Sequence, residues 1–331
     1  MKTIGFFILL VAIIIGGLFL YSKNSDWSYN NIIEGDGVIE MNDDAETITM
    51  IFVGDIMLSR SVGSKMEEKK DWTWPFSKIA SWLADADITF GNLEGPISNK
   101  GINVGSIYSF RANPKAIDGL VLSDFNILSV ANNHMGDWGS AAFEDTLNTL
   151  SNYDIEYVGG GFSQNDAYSP VKMKVKDTQF CFFGYTDIGP RSFEASGDKS
   201  GMAFLDIEDA SEDIEKYNDK CDINIVSLHF GEEYKEKAST RQRTAAASFS
   251  QAGADLIIGH HPHVISEVET IGDTQVFYSL GNFVFDQMFS EKTRKGMALV
   301  AEIKNKEIVG LVPHEIYIND EYQAELVSGN H

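Results

Sequence analysis

Residues 254–263, Ala254-Asp-Leu-Ile-Ile-Gly-His-His-Pro-His263, read as a buried strand that ends at Gly259 and then presents His260, His261 and His263. An apolar run of this length closed by a glycine suits a strand covered on both faces, and the loop after it opens at the carboxyl edge of the sheet. Pro262 fixes the backbone between His261 and His263, so their rings can converge on one or two metal ions with little loop entropy left to lose. The alternative is a solvated polar turn. Five of the seven histidines (His134, His229, His260, His261, His263) follow apolar runs, and that recurrence favours a ligand cluster.

Working outward, the same arrangement recurs. Thr47–Val53 runs into Gly54-Asp55-Ile-Met57, Ala86–Phe90 into Gly91-Asn92-Leu-Glu94, and Asn126–Ala131 into Asn132-Asn133-His134. Ile223–Leu228 ends at His229, and Thr274–Leu280 leads to Gly281-Asn282-Phe-Val-Phe-Asp286. Each run has strand character and each hands a carboxylate, amide or imidazole to a loop. Helical spacing is expected over Ser140–Leu150, Leu205–Lys220 and Thr240–Ala252. Val171–Val175 with Gln179–Gly184, and Met297–Ile303 with Glu307–Ile318, read as hairpins. The fold class is α/β, and an open sheet edge would gather Asp55, Glu94, Asn133, His134, His229, His261 and His263. Mixed oxygen and imidazole donors suit Mn²⁺, Fe or Zn²⁺ better than Ca²⁺.

The bulk composition narrows the function classes. Against 49 Asp and Glu stand 26 Lys and Arg, a formal charge of −23, which excludes a broad nucleic-acid footprint. Cys181 and Cys221 form no C-x-x-C pair, so a thiolate zinc site is not expected. They read as buried free thiols, with a single disulfide as the alternative if the domain lies outside the cytoplasm. Residues 4–21 (Ile4–Tyr21) carry no charge and are long enough for an uncleaved transmembrane helix. Lys2 precedes the run and an acidic stretch follows it, which puts residues 1–3 in the cytoplasm and the rest outside, a single-pass cell-membrane protein. Residues 22–46 read as an acidic polar linker, 47–318 as the folded domain and 319–331 as a tail. Trp72, Trp74 and Trp82 are expected to pack in the core. No heptad run or exposed apolar stripe points to a partner helix.

The order D…E…NH…H…HxH resembles the calcineurin-like metallophosphoesterase pattern. More closely, Gly54-Asp-Ile-Met57, Asn92-Leu-Glu94, Ala131-Asn-Asn-His134, Leu228-His-Phe-Gly231, Gly253-Ala-Asp255, Gly259-His-His-Pro-His-Val264 and Tyr278-Ser-Leu-Gly-Asn-Phe-Val-Phe-Asp286 together resemble the CapA family of poly-γ-glutamate capsule biosynthesis proteins. The likeness covers about Thr47 to Val312. It implies a four-layer α/β/β/α sandwich of the metallophosphoesterase type. On that template Asp55, Glu94 and His263 hold one divalent ion, and Glu94 bridges to a second held by Asn133, His229 and His261. His134 is the general acid or a donor to the reacting centre. His260, Asn92 and Asn282 support the ligands or line the cleft. Arg111 meets an anionic substrate or forms a surface ion pair, and Asp286 lines the cleft or caps a helix. Where the template has D-x-H, this chain has Asp55-Ile-Met57, and a thioether is a poor ligand for hard ions, so two, one or no metals are compatible with it.

Three functions follow from the resemblance. The first is an anchored protein that helps make or export poly-γ-glutamate or a related anionic polymer. The second is a scaffold touching the membrane subunits of a polymer synthase. The third is a metal-dependent hydrolase of a phosphoester or amide, acting on an anionic polymer or a small molecule at the cell surface.

Overall fold

The computed structural model describes residues 46–327. The expected membrane span at 4–21, nearly all of the linker and the last residues of the tail lie outside that range. Among the described residues no helix is long and apolar enough to cross a membrane.

In chain order the first strands are β1 (Ile48–Ile56), β2 (Ile88–Leu93), β3 (Ile127–Ser129), β4 (Glu156–Val158), the two-residue β5 (Gly160–Gly161), β6 (Val171–Val175), β7 (Thr178–Thr186) and the two-residue β8 (Gly201–Met202). There follow β9 (Ile223–His229), β10 (Leu256–His260), β11 (Val268–Ile271), β12 (Thr274–Phe277), β13 (Asn282–Val284), β14 (Lys295–Lys304), β15 (Glu307–Ile318) and β16 (Ala324–Leu326). The α-helices are α1 (Arg60–Lys69), α2 (Ala80–Leu83), α3 (Ile117–Leu122), α4 (Ser140–Asn152), α5 (Gln164–Tyr168), α6 (Ile207–Glu215) and α7 (Thr240–Gln251).

Two sheets carry the fold. One has the order β16-β15-β14-β1-β2-β3-β4 with β13 also paired to β1, and the other the order β11-β12-β10-β9-β7-β6. Strands β1 to β4 are mutually parallel, as are β7, β9, β10 and β12. Parallel strands put all their carboxyl ends on one edge, and this collects the loops that follow them.

The side-chain period of two explains the layers. Ile51 and Val53 of β1 face one way, into a core shared with Val62 and Met66 of α1, Leu120 of α3 and Phe143, Leu147 and Leu150 of α4. Trp72, Trp74 and Trp82 pack against this core, as expected. Cys181, Phe183 and Tyr185 of β7 face a second core with Ala210 and Ile214 of α6 and Ala245, Ala246 and Phe249 of α7. The alternate residues Phe52, Phe90 and Phe182 are fully buried, and the Phe90 and Phe182 rings stack 5.9 Å apart at 8°. Burying one such ring contributes about 2–3 kcal/mol.

Local chemistry sets the helix ends. Ser239 and Gln242 form a reciprocal capping box that starts α7. The Asp206 carboxylate accepts from the N–H groups of Glu208 and Asp209, so α6 begins at Ile207 rather than at Leu205. It stops at Glu215, short of the expected Lys220, because the chain turns through Tyr217–Lys220 to reach β9; Cys221 N donates to Tyr217 O at 3.1 Å.

Two further features differ from expectation. Cys181 and Cys221 are joined in a disulfide with Cα atoms 5.8 Å apart, not left as free thiols. Their pairing is a tertiary consequence of β7 lying beside β9, which no local pattern reveals. The run Thr274–Leu280 is also not one strand. β12 ends at Phe277, and Gly281, at φ +72°, lets the chain cross to the other sheet as β13.

That crossing brings Gly281 against Gly54. A Cβ on Gly54 would lie 1.9 Å from Gly281 O, the carbonyl that accepts from Asp55 N at 3.0 Å. The backbones cannot separate without breaking that bond, so Gly54→Ala is expected to cost roughly 3 kcal/mol or more. Denaturant unfolding checks this, and an unchanged midpoint would mean that the approach is not obligatory.

Candidate metal centre

Register assembles the site. On the first sheet Asp55 of β1 is opposite Asn92 of β2, and on the second His229, the last residue of β9, is opposite His260, the last of β10. Glu94 follows β2, Asn132-Asn133-His134 follow β3, and His261 and His263 follow β10. The two sheets thus contribute carboxylates and imidazoles respectively to one buried cluster, where one oxygen or nitrogen each of Asp55, Glu94 and His229 lies within 4.8 Å of the others.

Asp55 is the hub. Its Oδ1 accepts from Asn92 Nδ2 at 2.8 Å and lies 3.4 Å from His260 Nδ1. Its Oδ2 accepts from His261 N at 3.2 Å and lies 3.2 Å from His263 Nδ1. His263 Nδ1 is also 3.0 Å from Asn282 Oδ1, and its Nε2 is 3.6 Å from Glu94 Oε1. His229 Nε2 meets Asn133 Oδ1 at 2.7 Å, Asn92 Nδ2 lies 3.3 Å from His229 Nδ1, and the His229 and His261 rings are 4.8 Å apart. Asn92, Asp55, Glu94, His229, His260, His261 and His263 are all buried.

The backbone is strained at two of the ligand candidates. His261 sits at φ +96° and His263 at φ +56°, left-handed conformations that a non-glycine residue holds at about 1–3 kcal/mol each. The loop is kept there by His261 N on Asp55 and by Tyr234 N donating to Pro262 O at 2.8 Å.

His134 lies beside Glu94. Asp137 Oδ2 holds its Nδ1 at 2.8 Å, Phe110 stacks on its ring at 3.8 Å, and its Nε2 is 3.9 Å from Glu94 Oε1. Asp137 also accepts from Phe110 N at 2.8 Å, so one buried carboxylate sets both partners. Asn132 Oδ1 accepts from the N–H groups of His134 and Met135, and its Nδ2 donates to Leu93 O. Asp137 and Asn132 escaped the sequence reading. The signal for Asp137 was a carboxylate three residues beyond His134, which in a turn returns to the ring.

Other expected residues have different partners. Met57 Sδ accepts from Ser59 N and Oγ at 3.2 and 3.1 Å, and Met57 is fully buried. Arg111 stacks over Trp138 at 3.4 Å and donates to Lys100 O at 3.0 Å. Asp286 Oδ2 accepts from Ser61 N in the first turn of α1, and its Oδ1 pairs with Arg60 Nη2 at 3.1 Å.

Both Glu94 oxygens are buried with no hydrogen-bond partner, as are both ring nitrogens of His260 and Nδ1 of His261. A buried carboxylate without donors is costly unless a cation meets it. Burial pushes the Glu94 carboxyl well above its ordinary range. Burial pushes Asp55 the same way, but the nearby His260 and His263 rings hold it well below that range. Burial and the neighbouring His263 lower His261 to about 4, and burial followed by His261 lowers His229. Burial opposes the proton on His263, yet Glu94 and Asp55 raise it to about 9. Protons here balance buried negative charge, and a divalent ion would displace them as it bound. The oxygen and imidazole donors, the partnerless Glu94 oxygens and the neutral His229 and His261 fit a first-row divalent ion.

The family model described as bacterial capsule synthesis protein PGA_cap matches residues 49–287. The PGA biosynthesis protein CapA of Bacillus subtilis is 34% identical over 245 residues, which cover 73% of this chain and 64% of that protein. The capsule biosynthesis protein CapA of Bacillus anthracis is 32% identical over 256 residues, covering 73% and 61%. The matched region is thus about six-tenths of the length of these relatives. Among solved structures, the calcineurin-like phosphoesterase YfkN from Bacillus subtilis superposes with a TM-score of 0.51 at 12% identity, over 86% of this chain and 94% of that one. That likeness is one of fold, a mixed α/β architecture with the loops gathered at one edge.

Proposed function

Because this chain belongs to the PGA_cap family of bacterial capsule synthesis proteins, we propose that it serves the making or export of poly-γ-glutamate or a related anionic polymer through a divalent-metal centre. The observation that carries this is Glu94, a fully buried carboxylate with neither oxygen hydrogen-bonded, beside Asp55, His229 and His263. Asp55, Glu94, His229, His261 and His263 would hold the ion, with Asn133 beside His229. Met57 leaves one side of the site without the template's imidazole, so a single ion is the reading that the donors favour. Such an ion would supply Lewis acidity toward a phosphoryl or carbonyl oxygen.

The chain's own groups do the rest. Asp55 orients His263 and the backbone of His261. Asp137 meets Nδ1 of His134 and turns Nε2 toward Glu94; protonated on both nitrogens, the ring would give its Nε2 proton to a leaving group and keep the Nδ1 proton on Asp137. This His134 geometry also favours a second reading, a metal-dependent hydrolase of a phosphoester or amide bond.

An extracytoplasmic, membrane-anchored placement, beside the membrane subunits of a synthase, belongs to the same proposal. The Cys181–Cys221 disulfide supports an oxidising compartment and the uncharged run at 4–21 supports an anchor.

The test is metal content per purified chain. Wild type is expected to hold Mn, Fe or Zn that the His261→Ala/His263→Ala double variant loses, while His134→Ala keeps the metal and loses hydrolysis or polymer yield. Folded wild type that takes up no metal under replete conditions would sink the centre. Full polymer yield from His134→Ala would leave that residue without a chemical role.

A further inference from the structure

We infer that Arg60 forms an oxyanion subsite at the rim of this centre, taking a carboxylate or phosphoryl group of the substrate; this rests on the metal-centre reading above. The first observation is the backbone. Arg60 opens α1 at φ +51°, a left-handed conformation in which a long side chain gains nothing locally. Strain of this kind persists where surrounding contacts dictate it.

Those contacts are visible. The Asp286 side chain is 2% exposed; its Oδ1 forms an ion pair with Arg60 Nη2 at 3.1 Å that lacks hydrogen-bond geometry, and its Oδ2 accepts from Ser61 N at 3.2 Å. A buried carboxylate therefore anchors one corner of the guanidinium, while the Arg60 side chain remains 38% exposed. A guanidinium has five N–H donors in a rigid fork, so Asp286 leaves most of them free for a second oxyanion.

Position then links this fork to the centre. The Arg60 guanidinium lies 5.3 Å from the Phe110 ring, and Phe110 is the ring that stacks on His134. Phe285, the residue before Asp286, packs edge-on to Phe110 at 5.8 Å and against His263 at 4.8 Å. Two aromatic rings thus form a continuous wall from His134 and His263 to the Arg60–Asp286 pair. A substrate whose reacting group meets His134 would bring a negative group one residue-length away within reach of Arg60, as a chain of repeating carboxylates or a phosphate ester does. Arg111, the arginine singled out from the sequence, is instead stacked on Trp138.

The experiment uses the full chain loaded with Mn²⁺ and two probes, inorganic phosphate and γ-glutamylglutamate, titrated separately by calorimetry. The variant is Arg60→Asn combined with Asp286→Asn. Asparagine tolerates the left-handed backbone, and neutralising both partners avoids a buried unpaired carboxylate. The affinity for at least one probe is expected to fall about tenfold or more with bound manganese unchanged. Arg60→Lys, which keeps the charge but not the fork, should fall in between. Weakening confined to phosphate assigns a phosphoryl group, and weakening confined to the dipeptide assigns a carboxylate. Unchanged affinity for both probes with metal retained overturns the subsite alone, as does a wild type that binds neither. A wild type that holds no manganese overturns the centre and the subsite with it.

Discussion

Glu94→Gln is expected to strip the purified chain of tightly held metal while leaving its metal-free melting temperature unchanged or higher. Partners that merely support a ligand change affinity by about 10–100-fold, so loss of the carboxylate placed to face the ion should weaken binding at least a hundredfold. The stability arm has the opposite sign. Neither Glu94 oxygen is hydrogen-bonded, so ionising it in the metal-free fold carries a desolvation penalty that the amide does not. Asp55→Asn makes the contrast. Asp55 accepts from Asn92 and from His261 N and meets His260 and His263, so its loss should destabilise the metal-free domain by about 1–3 kcal/mol. Metal analysis and thermal melts in chelator check both variants. Equal destabilisation by the two would mean that Glu94 is a structural carboxylate and not one reserved for a cation.

Removing the disulfide should have an effect of similar size by another route. Cys181 and Cys221 are 40 positions apart, and closing a loop of that length is worth about 4 kcal/mol in chain entropy of the unfolded state. For a domain of this size the Cys181→Ala/Cys221→Ala double variant should melt roughly 10 °C lower. Both side chains belong to the core beneath α6 and α7, so some lost packing adds to the entropy. The check is a thermal melt of the double variant beside wild type with and without reductant, together with a thiol count. Two titratable thiols in the native protein and an unmoved melting point would contradict the bond.

The strand ends were legible because the chemistry is local. Asp55, Glu94, His229 and His260 each stand within a residue or so of an apolar run, and a parallel sheet brings such ends to one edge. What the one-dimensional pattern could not carry were contacts between distant segments. The register of β7 beside β9 that joins Cys181 to Cys221 is one. The crossing at Gly281 is another, because the apolar run continues through it while the backbone changes sheet. Arg60 was invisible for a third reason. Its left-handed backbone and its anchor on Asp286, 226 positions later, are properties of the folded state, whereas Arg111 stood out only because it resembled a motif position.

The centre draws its carboxylates from the first third of the chain and its imidazoles from the last. Asp55 and His261 meet across 206 positions. No fragment emerging early in synthesis carries a usable set of ligands, and contacts this distant form late in folding. The ion in the centre would then be whichever one is available where the chain finishes folding. Metal supply at that place, more than the ranking of intrinsic affinities, would decide the occupant.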